Sequence, residues 1–298
     1  MIDVDKAIAL IQRNFPKVTI QAVHAITRGW DSFVLDVNDA LIFRFPLRED
    51  VIAYIEKEKS LLPVLEPALS TPIPHFDYVG HGDASYPFLF VGYRKLVGIP
   101  LEDENITSEQ LIYLGPALGT FLSELHSFPV ARAIQAGVQD HTPEQWRERY
   151  WERYVDLQKR VFPLLDMELR TKSAQLWEDF LDNRAIFAFQ PVLIHCDLAC
   201  EHIFCDPEHS LLTGVIDWGD ATIGDPALDF VGLHQGHGRA FTERVLEDYR
   251  GMVDAAFWQR MDFYLCYGPF SELLFGAYSE SEKFIAQGIE GLRKLFDV

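Results

Sequence analysis

The spacing of apolar and polar residues changes along the chain from mixed helix and strand to mostly helix. Apolar side chains three and four apart in residues 4–15 predict a first helix, with Asp3 or Asp5 as its N-cap. The runs "VTIQAVHAI", "DSFVLDV" and "ALIFRFP" are short, β-rich and separated by turn residues, as in an antiparallel meander. Another strand is predicted in "YPFLFVGYRKLVG", and helical periodicity dominates from about residue 100.

This change of pattern predicts an α+β fold with two lobes. We expect an N-terminal lobe over residues 1–98, built on an antiparallel β-sheet and ending in a hinge. We expect a mostly helical C-terminal lobe over residues 99–298.

One charged residue interrupts the apolar stripe of the helix predicted near residues 50–62. Glu58 falls in register with Val51 and Ile55 on that stripe. A carboxylate withdrawn from water without a partner costs several kcal/mol or changes its protonation, so this position requires a cation. Alternation in "ALIFRFP" points Arg44 away from its apolar neighbours. We therefore predict an ion pair between Arg44 and Glu58.

The segment "LIHCDLACEHIFCDPEHSLLTGVIDWGD" contains the densest group of reactive side chains. "HIFC" and "LLTGVID" read as the strands of a hairpin about the turn "DPEHS". This fold places His202 nearly opposite Ile216, so that His202 and Asp217 emerge at one end, near Asp197. Phosphoryl transfer requires such a set: one carboxylate that accepts the proton of the hydroxyl group, and two side chains that bind Mg²⁺.

"HCDLACEH" followed by "IDWGD" resembles the catalytic loop and metal motif of the aminoglycoside phosphotransferase family, which has a protein-kinase-like fold. The form is most similar to that of aminoglycoside 2''- and macrolide 2'-phosphotransferases. "LSELHS", "GYRKLVGIPL" and "YGPFSELLFG" extend the resemblance over essentially the whole chain. It implies a bilobal kinase-like fold, with Mg²⁺ as cofactor and ATP or GTP as phosphoryl donor. The N-terminal lobe, residues 1–98, would bind the nucleotide, and the C-terminal lobe, residues 99–298, would carry the catalytic loop, the metal site and the acceptor-binding region.

The resemblance also implies roles for individual residues. Asp197 would be the catalytic base, or would orient the hydroxyl, and His195 would brace the loop near Asp217. His202 and Asp217 would hold Mg²⁺. Nucleotide contacts would come from the pair Arg44 and Glu58, from Gly29 and Ser32 over the phosphates, and from the backbone of Arg94 and Leu96 at the hinge.

Three residues depart from the usual family pattern. Arg44 replaces a lysine and spreads its charge over a planar fork, which changes the phosphate contacts. His202 replaces an asparagine, and a neutral imidazole can bind a metal although Mg²⁺ prefers oxygen. Cys196 stands where glycine is frequent, and the phosphate loop "TRGWDSF" contains a single glycine.

A zinc site is the main structural alternative for this segment. Its cysteines and histidines are numerous, but no C-x-x-C occurs, and Cys205 and His209 flank the turn away from the others. We interpret Cys196 and Cys200 as small core residues. Other polar residues have structural interpretations: Glu124 and His126 at a helix end, and Asp225 and Asp229 as cap and loop brace.

The net charge of the chain favours some classes of binding partner over others. The chain has 45 acidic and 26 basic residues, a net charge of −19. Such a field repels nucleic acid and anionic membranes and attracts small cations, although acidity also aids solubility. Candidate acceptor contacts are Asp197, Glu201, Asp220, Glu272 and His234. His234 and His237 could instead belong to a flexible loop, and Glu280 and Glu282 suit a solvated surface.

Nothing in the sequence predicts export or membrane insertion. The N-terminus has acids where a signal peptide needs bases, and no run of eighteen apolar residues occurs. We expect a cytoplasmic monomer or weak dimer with its four cysteines reduced.

These features favour an antibiotic kinase that phosphorylates a hydroxyl of an aminoglycoside. The alternatives are a macrolide 2'-phosphotransferase, another small-molecule kinase, or a pseudokinase that binds nucleotide without turnover. A protein kinase fits less well, because "DWGDATIGDPALDF" leaves almost no activation segment and no A-P-E motif follows.

Overall fold

The computed structural model describes residues 2–26 and 31–298, and it begins with the predicted helix. Helix α1 covers Val4–Asn14, and the side chain of Asp3 accepts a hydrogen bond from the Lys6 backbone N–H at 2.9 Å. Asp3 is therefore the N-cap, which settles the choice between the two candidate caps. The predicted phosphate-loop residue Gly29 lies outside the described residues.

Five antiparallel strands form the sheet that follows, in the order β1-β2-β3-β5-β4. The predicted meander and the strand near residue 90 are confirmed. The strands are β1 (Val23–Ile26), β2 (Ser32–Val37), β3 (Leu41–Pro46), β4 (Tyr78–Asp83) and β5 (Tyr86–Arg94).

Strand β4 was not predicted, because its sequence "YVGHGD" is poor in apolar residues. The neighbouring strand β5 contributes the large apolar side chain that β4 lacks. A Cβ on Gly80 would lie 2.2 Å from the ring of Phe90, so only glycine leaves room for that ring. Phe90 in turn stacks on Phe45, with ring centroids 4.6 Å apart, in the core between the sheet and α1.

Helix α2 (Val51–Leu65) crosses near the sheet and extends three residues beyond its predicted end. Val51, Ile55 and Glu58 are all buried along its inner side, as the stripe predicted. The helix thus delivers a carboxylate to the inside of the molecule.

The remainder is mostly helical, as expected, with short strands around the motif segment. The helices are α3 (Ser108–His126), α4 (Val130–Gln135), α5 (Pro143–Asp156), α6 (Met167–Asp182), α7 (Val231–Asp248), α8 (Phe257–Leu265), α9 (Gly268–Ser279) and α10 (Glu282–Phe296). The strands are β6 (Ile99–Pro100), β7 (Val192–Ile194), β8 (Ile203–Asp206), β9 (Leu211–Val215) and β10 (Thr222–Gly224). This arrangement is the predicted bilobal α+β architecture, whereas the lobe boundary near residue 98 stays a prediction.

The hairpin predicted in the motif segment is confirmed by strands β8 and β9. Ile203 pairs with Val215, and the backbone N–H of Ile216 donates to the carbonyl of His202 at 2.9 Å. His202 therefore lies opposite Ile216, as the turn position indicated.

Of the two interpretations given for "LHQGHG", the structure contradicts the flexible loop. This segment lies within α7, where Gly238 breaks the helical conformation with φ of 78°. The Nε2 atom of His237 lies 2.9 Å from the carbonyl oxygen of Leu101 and anchors this stretch. No helix among the described residues is long and apolar enough to cross a bilayer.

Candidate active site

A cleft of about 480 Å³ lies between the five-stranded sheet and the hairpin segment. Its walls contain many of the predicted site residues. These are Ser32, Arg44 and Leu96 on the sheet side, and Asp197, Glu201, His202, Asp217 and Asp220 on the other side. Its lining also includes the apolar side chains of Ile26, Val34, Ile42, Phe204 and Ile216.

Asp197, His202 and Asp217 meet at one end of this cleft. One ligand atom from each lies within 4.8 Å of the others, and no other such group of three occurs in residues 2–26 and 31–298. The Nδ1 atom of His202 lies 2.8 Å from the backbone carbonyl of Asp197, which can only accept a hydrogen bond. In a neutral ring Nε2 therefore carries the lone pair, and it lies 3.6 Å from Glu201 Oε1 and 3.9 Å from Asp217 Oδ2.

His195 connects the catalytic loop to the residue before Asp217. Its buried ring donates from Nε2 to the carbonyl of Ile216 at 2.9 Å, and its Nδ1 accepts the backbone N–H of Asp197 at 3.3 Å. Burial lowers the pKa of His195, which favours the neutral ring that this pattern requires. His195 thus has the geometry of a brace.

Asp229 also binds the backbone of the catalytic loop. Its buried carboxylate accepts the backbone N–H of His195 at 2.9 Å and that of Cys196 at 2.8 Å. His126, at the end of α3, lies 3.1 Å from Asp229 and 2.6 Å from the hydroxyl of Tyr249. The structural interpretation of His126 and the bracing role of Asp229 are thereby confirmed.

Two residues at the site adopt left-handed backbone conformations. Cys196 has φ of 71° and Asp217 has φ of 66°. Glycine adopts this region without cost, whereas other L-residues are disfavoured there by about 1–2 kcal/mol. Position 196, which is often glycine in the family, therefore requires a left-handed backbone. In this chain the surrounding hydrogen bonds hold Cys196 in that conformation.

The predicted ion pair between Arg44 and Glu58 is confirmed. Arg44 Nη1 lies 2.8 and 3.1 Å from the two carboxylate oxygens of Glu58, which is fully buried. Arg44 Nη2 lies 3.6 Å from Asp217 Oδ1. Burial alone would lower the pKa of Arg44, but the charges of Glu58 and Asp217 raise it, so the guanidinium stays charged.

Asp220 and Glu201 line the cleft beside Asp197. Burial and the charge of Asp197 both raise the pKa of Asp220, although Lys57 opposes the shift. The site therefore concentrates carboxylates on one side and carries Arg44 on the other.

Other predicted site residues lie elsewhere or have only partial support. Ser32 is buried at the cleft, and its Oγ has no hydrogen-bond partner among the described residues. The Arg94 side chain is 87% exposed and only its backbone belongs to the sheet. Glu272 is exposed on α9 rather than enclosed by apolar groups, and neither Glu272 nor His234 lines the cleft.

The zinc interpretation gains no support from the thiols. Burial raises the pKa of Cys196 and Cys200 to about 12 and that of Cys205 to about 11. Thiols with raised pKa values are poor sources of the thiolate that zinc binds.

Several cleft residues escaped the sequence analysis. Asp31, Tyr54, Tyr93, Lys95 and Glu102 also line the cavity. Tyr54 precedes Glu58 by one helical turn, which was the one available signal. Asp31, Tyr93 and Lys95 lie within the quoted segments "TRGWDSF" and "GYRKLVGIPL", but nothing in those segments singled out their side chains.

The chain is similar to several known proteins. APH(2'')-IIIa, solved in complex with GDP and kanamycin, is 32% identical with a TM-score of 0.88, covering 97% of each chain. Uncharacterized protein YcbJ of Bacillus subtilis is 26% identical over 76% of this chain and 72% of its own. Viomycin phosphotransferase of Streptomyces vinaceus is 23% identical over 84% of this chain and 82% of its own.

The family model described as the phosphotransferase enzyme family, APH, matches residues 22–264. This range contains the five strands of the sheet, the catalytic loop and the hairpin. The chain therefore belongs to the APH phosphotransferase enzyme family.

Proposed function

We propose that this enzyme transfers the γ-phosphoryl group of GTP or ATP to a hydroxyl group of an aminoglycoside. The observation that carries the proposal is the convergence of Asp197, His202 and Asp217 at one end of a cleft that contains Arg44. The relative that binds GDP and kanamycin, at 32% identity, supports both the donor and the acceptor class.

The donor set suits a divalent cation. His202 Nε2 and the carboxylate of Asp217 would hold Mg²⁺, which would offset the negative charge of the nucleotide phosphates. Arg44 would contact the α and β phosphates through the Nη2 side of its fork, because Glu58 occupies the Nη1 side.

The rest of the nucleotide would occupy the cleft. The purine would lie against its apolar walls, with hydrogen bonds to the backbone of Arg94 and Leu96. Ser32 Oγ, which has no described partner, would donate to a phosphate together with backbone groups near Gly29. GDP in the complex of the relative favours GTP as the first donor to test.

Asp197 would accept a hydrogen bond from the acceptor hydroxyl and orient its oxygen toward the γ-phosphorus. As the new O–P bond forms, the bond to the β-phosphate oxygen breaks, and the hydroxyl proton passes to Asp197 or to the product phosphate. Glu201 and Asp220 at the cleft, with Glu272 and His234 farther out, would contact the ammonium groups of the acceptor.

Replacement of the catalytic carboxylate tests this mechanism. We expect Asp197→Ala to reduce kcat by roughly 10²–10⁴-fold, the range for loss of a positioned proton acceptor, with nucleotide affinity within about threefold of wild type. Single-turnover transfer and nucleotide titration measure the two quantities. Glu208→Ala, at an exposed position in the turn between β8 and β9, is the matched control. Wild-type turnover by Asp197→Ala would remove Asp197 from the mechanism.

A macrolide is the second candidate acceptor. The stretch of α7 beside the catalytic loop carries His234, Gln235, His237 and Arg239 and contains no acid. A macrolide with one amine would need fewer carboxylates than an aminoglycoside. A panel of both classes, with product regiochemistry read by NMR, separates these acceptors, and nucleotide binding without turnover on any of them would favour a pseudokinase.

A further inference from the structure

Three side chains on one face of α2 contact the segment 217–221, here called the metal loop. Tyr54, Lys57 and Glu58 are three and four residues apart, so they project from the same side of the helix. A Cβ on Gly219 would lie 3.3 Å from the Cβ of Tyr54. Burial raises the pKa of Glu58, and the backbone N–H of Trp218 is among the groups that counteract this shift. The ammonium of Lys57 donates to the carbonyl of Ala221 at 2.9 Å.

Lys57 is the member of this face that the site described above does not use. It is not among the described residues that line the cleft. Burial lowers the pKa of Lys57, while the charge of Asp220 opposes the shift. Withdrawing an ammonium from water costs free energy unless hydrogen bonds compensate, so the contact with Ala221 is a specific one.

The metal loop needs such restraint because it begins with a disfavoured conformation. Asp217 has φ of 66° and ψ of 60°, and a non-glycine residue keeps this backbone only where its surroundings hold it. Trp218 restrains the loop from the core side, since it is buried and its Nε1 donates to the carbonyl of Val215 at 2.9 Å. Lys57 restrains the other end at Ala221, next to Thr222, where β10 pairs with β7.

We propose that Lys57 is a positioning residue that clamps the metal loop to α2 and thereby keeps the carboxylate of Asp217 directed toward His202. The link to metal binding rests on the proposed function, whereas the clamp itself does not. Through this contact, α2 holds both the metal loop and Glu58, the partner of Arg44. The side chains that would bind the phosphates and the metal are therefore in position before the nucleotide binds.

The test compares Lys57→Met, Lys57→Arg and the control Lys59→Met. Lys59 lies on the same helix and pairs with the exposed Glu56 at 2.8 Å. The first readout is hydrogen exchange of a peptide spanning the metal loop in the protein without nucleotide. The second is Mn²⁺ affinity in the presence of GTP, measured by electron paramagnetic resonance.

We expect Lys57→Met to accelerate exchange of the metal loop and to weaken Mn²⁺ binding, each by about tenfold, the value of one charge-assisted hydrogen bond. Its unfolding midpoint in urea should stay near that of wild type. Lys57→Arg, which keeps a charged donor, should stay within about threefold of wild type, and Lys59→Met should match wild type in both readouts. If Lys57→Met loses its helical circular dichroism, Lys57→Gln replaces it in the comparison.

Unchanged exchange and unchanged Mn²⁺ affinity in Lys57→Met would overturn the inference, as would equal effects from Lys59→Met. Failure of the proposed function has a different signature. In that case wild-type protein would bind no Mn²⁺ with GTP, and the exchange measurement alone would decide whether Lys57 clamps the loop.

Discussion

His195 shows at the scale of one residue how burial selects a protonation state that the site uses. Its Nε2 donates to a carbonyl and its Nδ1 accepts an amide, so a proton on Nδ1 would remove the second bond. His202 has the opposite tautomer, because its Nδ1 faces a carbonyl, and this leaves Nε2 directed toward Asp217. These two histidines, seven residues apart, thus have different chemical roles, because a different ring nitrogen of each one contacts a backbone carbonyl.

The lowered pKa of His195 predicts an acid-sensitive fold. Below the ordinary histidine pKa of about 6.5 the unfolded chain binds a proton that the folded chain excludes, so the free energy of unfolding falls as the pH falls through that window. We expect urea unfolding at pH 7.5 and 5.5 to show this loss. The loss should be smaller in His195→Gln, whereas His24→Gln, at an exposed position on β1, should keep the wild-type difference.

A pH dependence in His195→Gln equal to that of wild type would contradict this assignment. The comparison is made on protein without nucleotide, because a bound ligand would add its own protonation to the measured difference.

At the scale of elements, β3 and α2 are joined by the buried pair of Arg44 and Glu58. Removing one member leaves the other charge buried without its partner, which costs about 3–5 kcal/mol. We expect Arg44→Met and Glu58→Leu each to lower the free energy of unfolding by about 3 kcal/mol or more. The double variant should recover much of this stability, because two apolar side chains of similar volume satisfy each other.

Turnover should respond differently from stability in this series. All three variants should lose transfer activity, because each one removes or misplaces the Arg44 contact to the phosphates. Urea unfolding and nucleotide titration separate the two effects. A double variant as unstable as the single variants would show that the pair has a role beyond mutual charge compensation.

At the scale of the whole molecule, the net charge of −19 should favour encounter with polycationic acceptors. We expect kcat/KM for kanamycin to fall by about threefold or more between roughly 20 and 200 mM salt, at saturating nucleotide, as screening shortens the range of the field. A macrolide with one amine should show a smaller dependence. Equal salt dependence for the two acceptors would indicate that the negative charge of the protein serves solubility alone and does not attract the acceptor.

Much of the site was readable from the sequence because its parts are close along the chain. The turn after residue 206 and the alternation on either side set the hairpin register, and that register alone brought His202 beside Asp217. The Arg44–Glu58 pair followed from periodicity, since a carboxylate on a buried helical stripe has few physical solutions. Asp229 and His126 were assigned structural roles, but the contact of His126 to the Asp229 carboxylate that binds the catalytic loop was not foreseen.

Local order in the sequence therefore determined the elements, the hairpin and the identity of the three converging side chains, because propensity and alternation act over a few residues. Tertiary structure decided the rest. Strand β4 exists because Phe90 fills the space above Gly80, α7 is held by a contact of His237 to Leu101, and Lys57 reaches Ala221 across 164 positions. Such contacts depend on how distant elements pack, and no spacing within the chain encodes them.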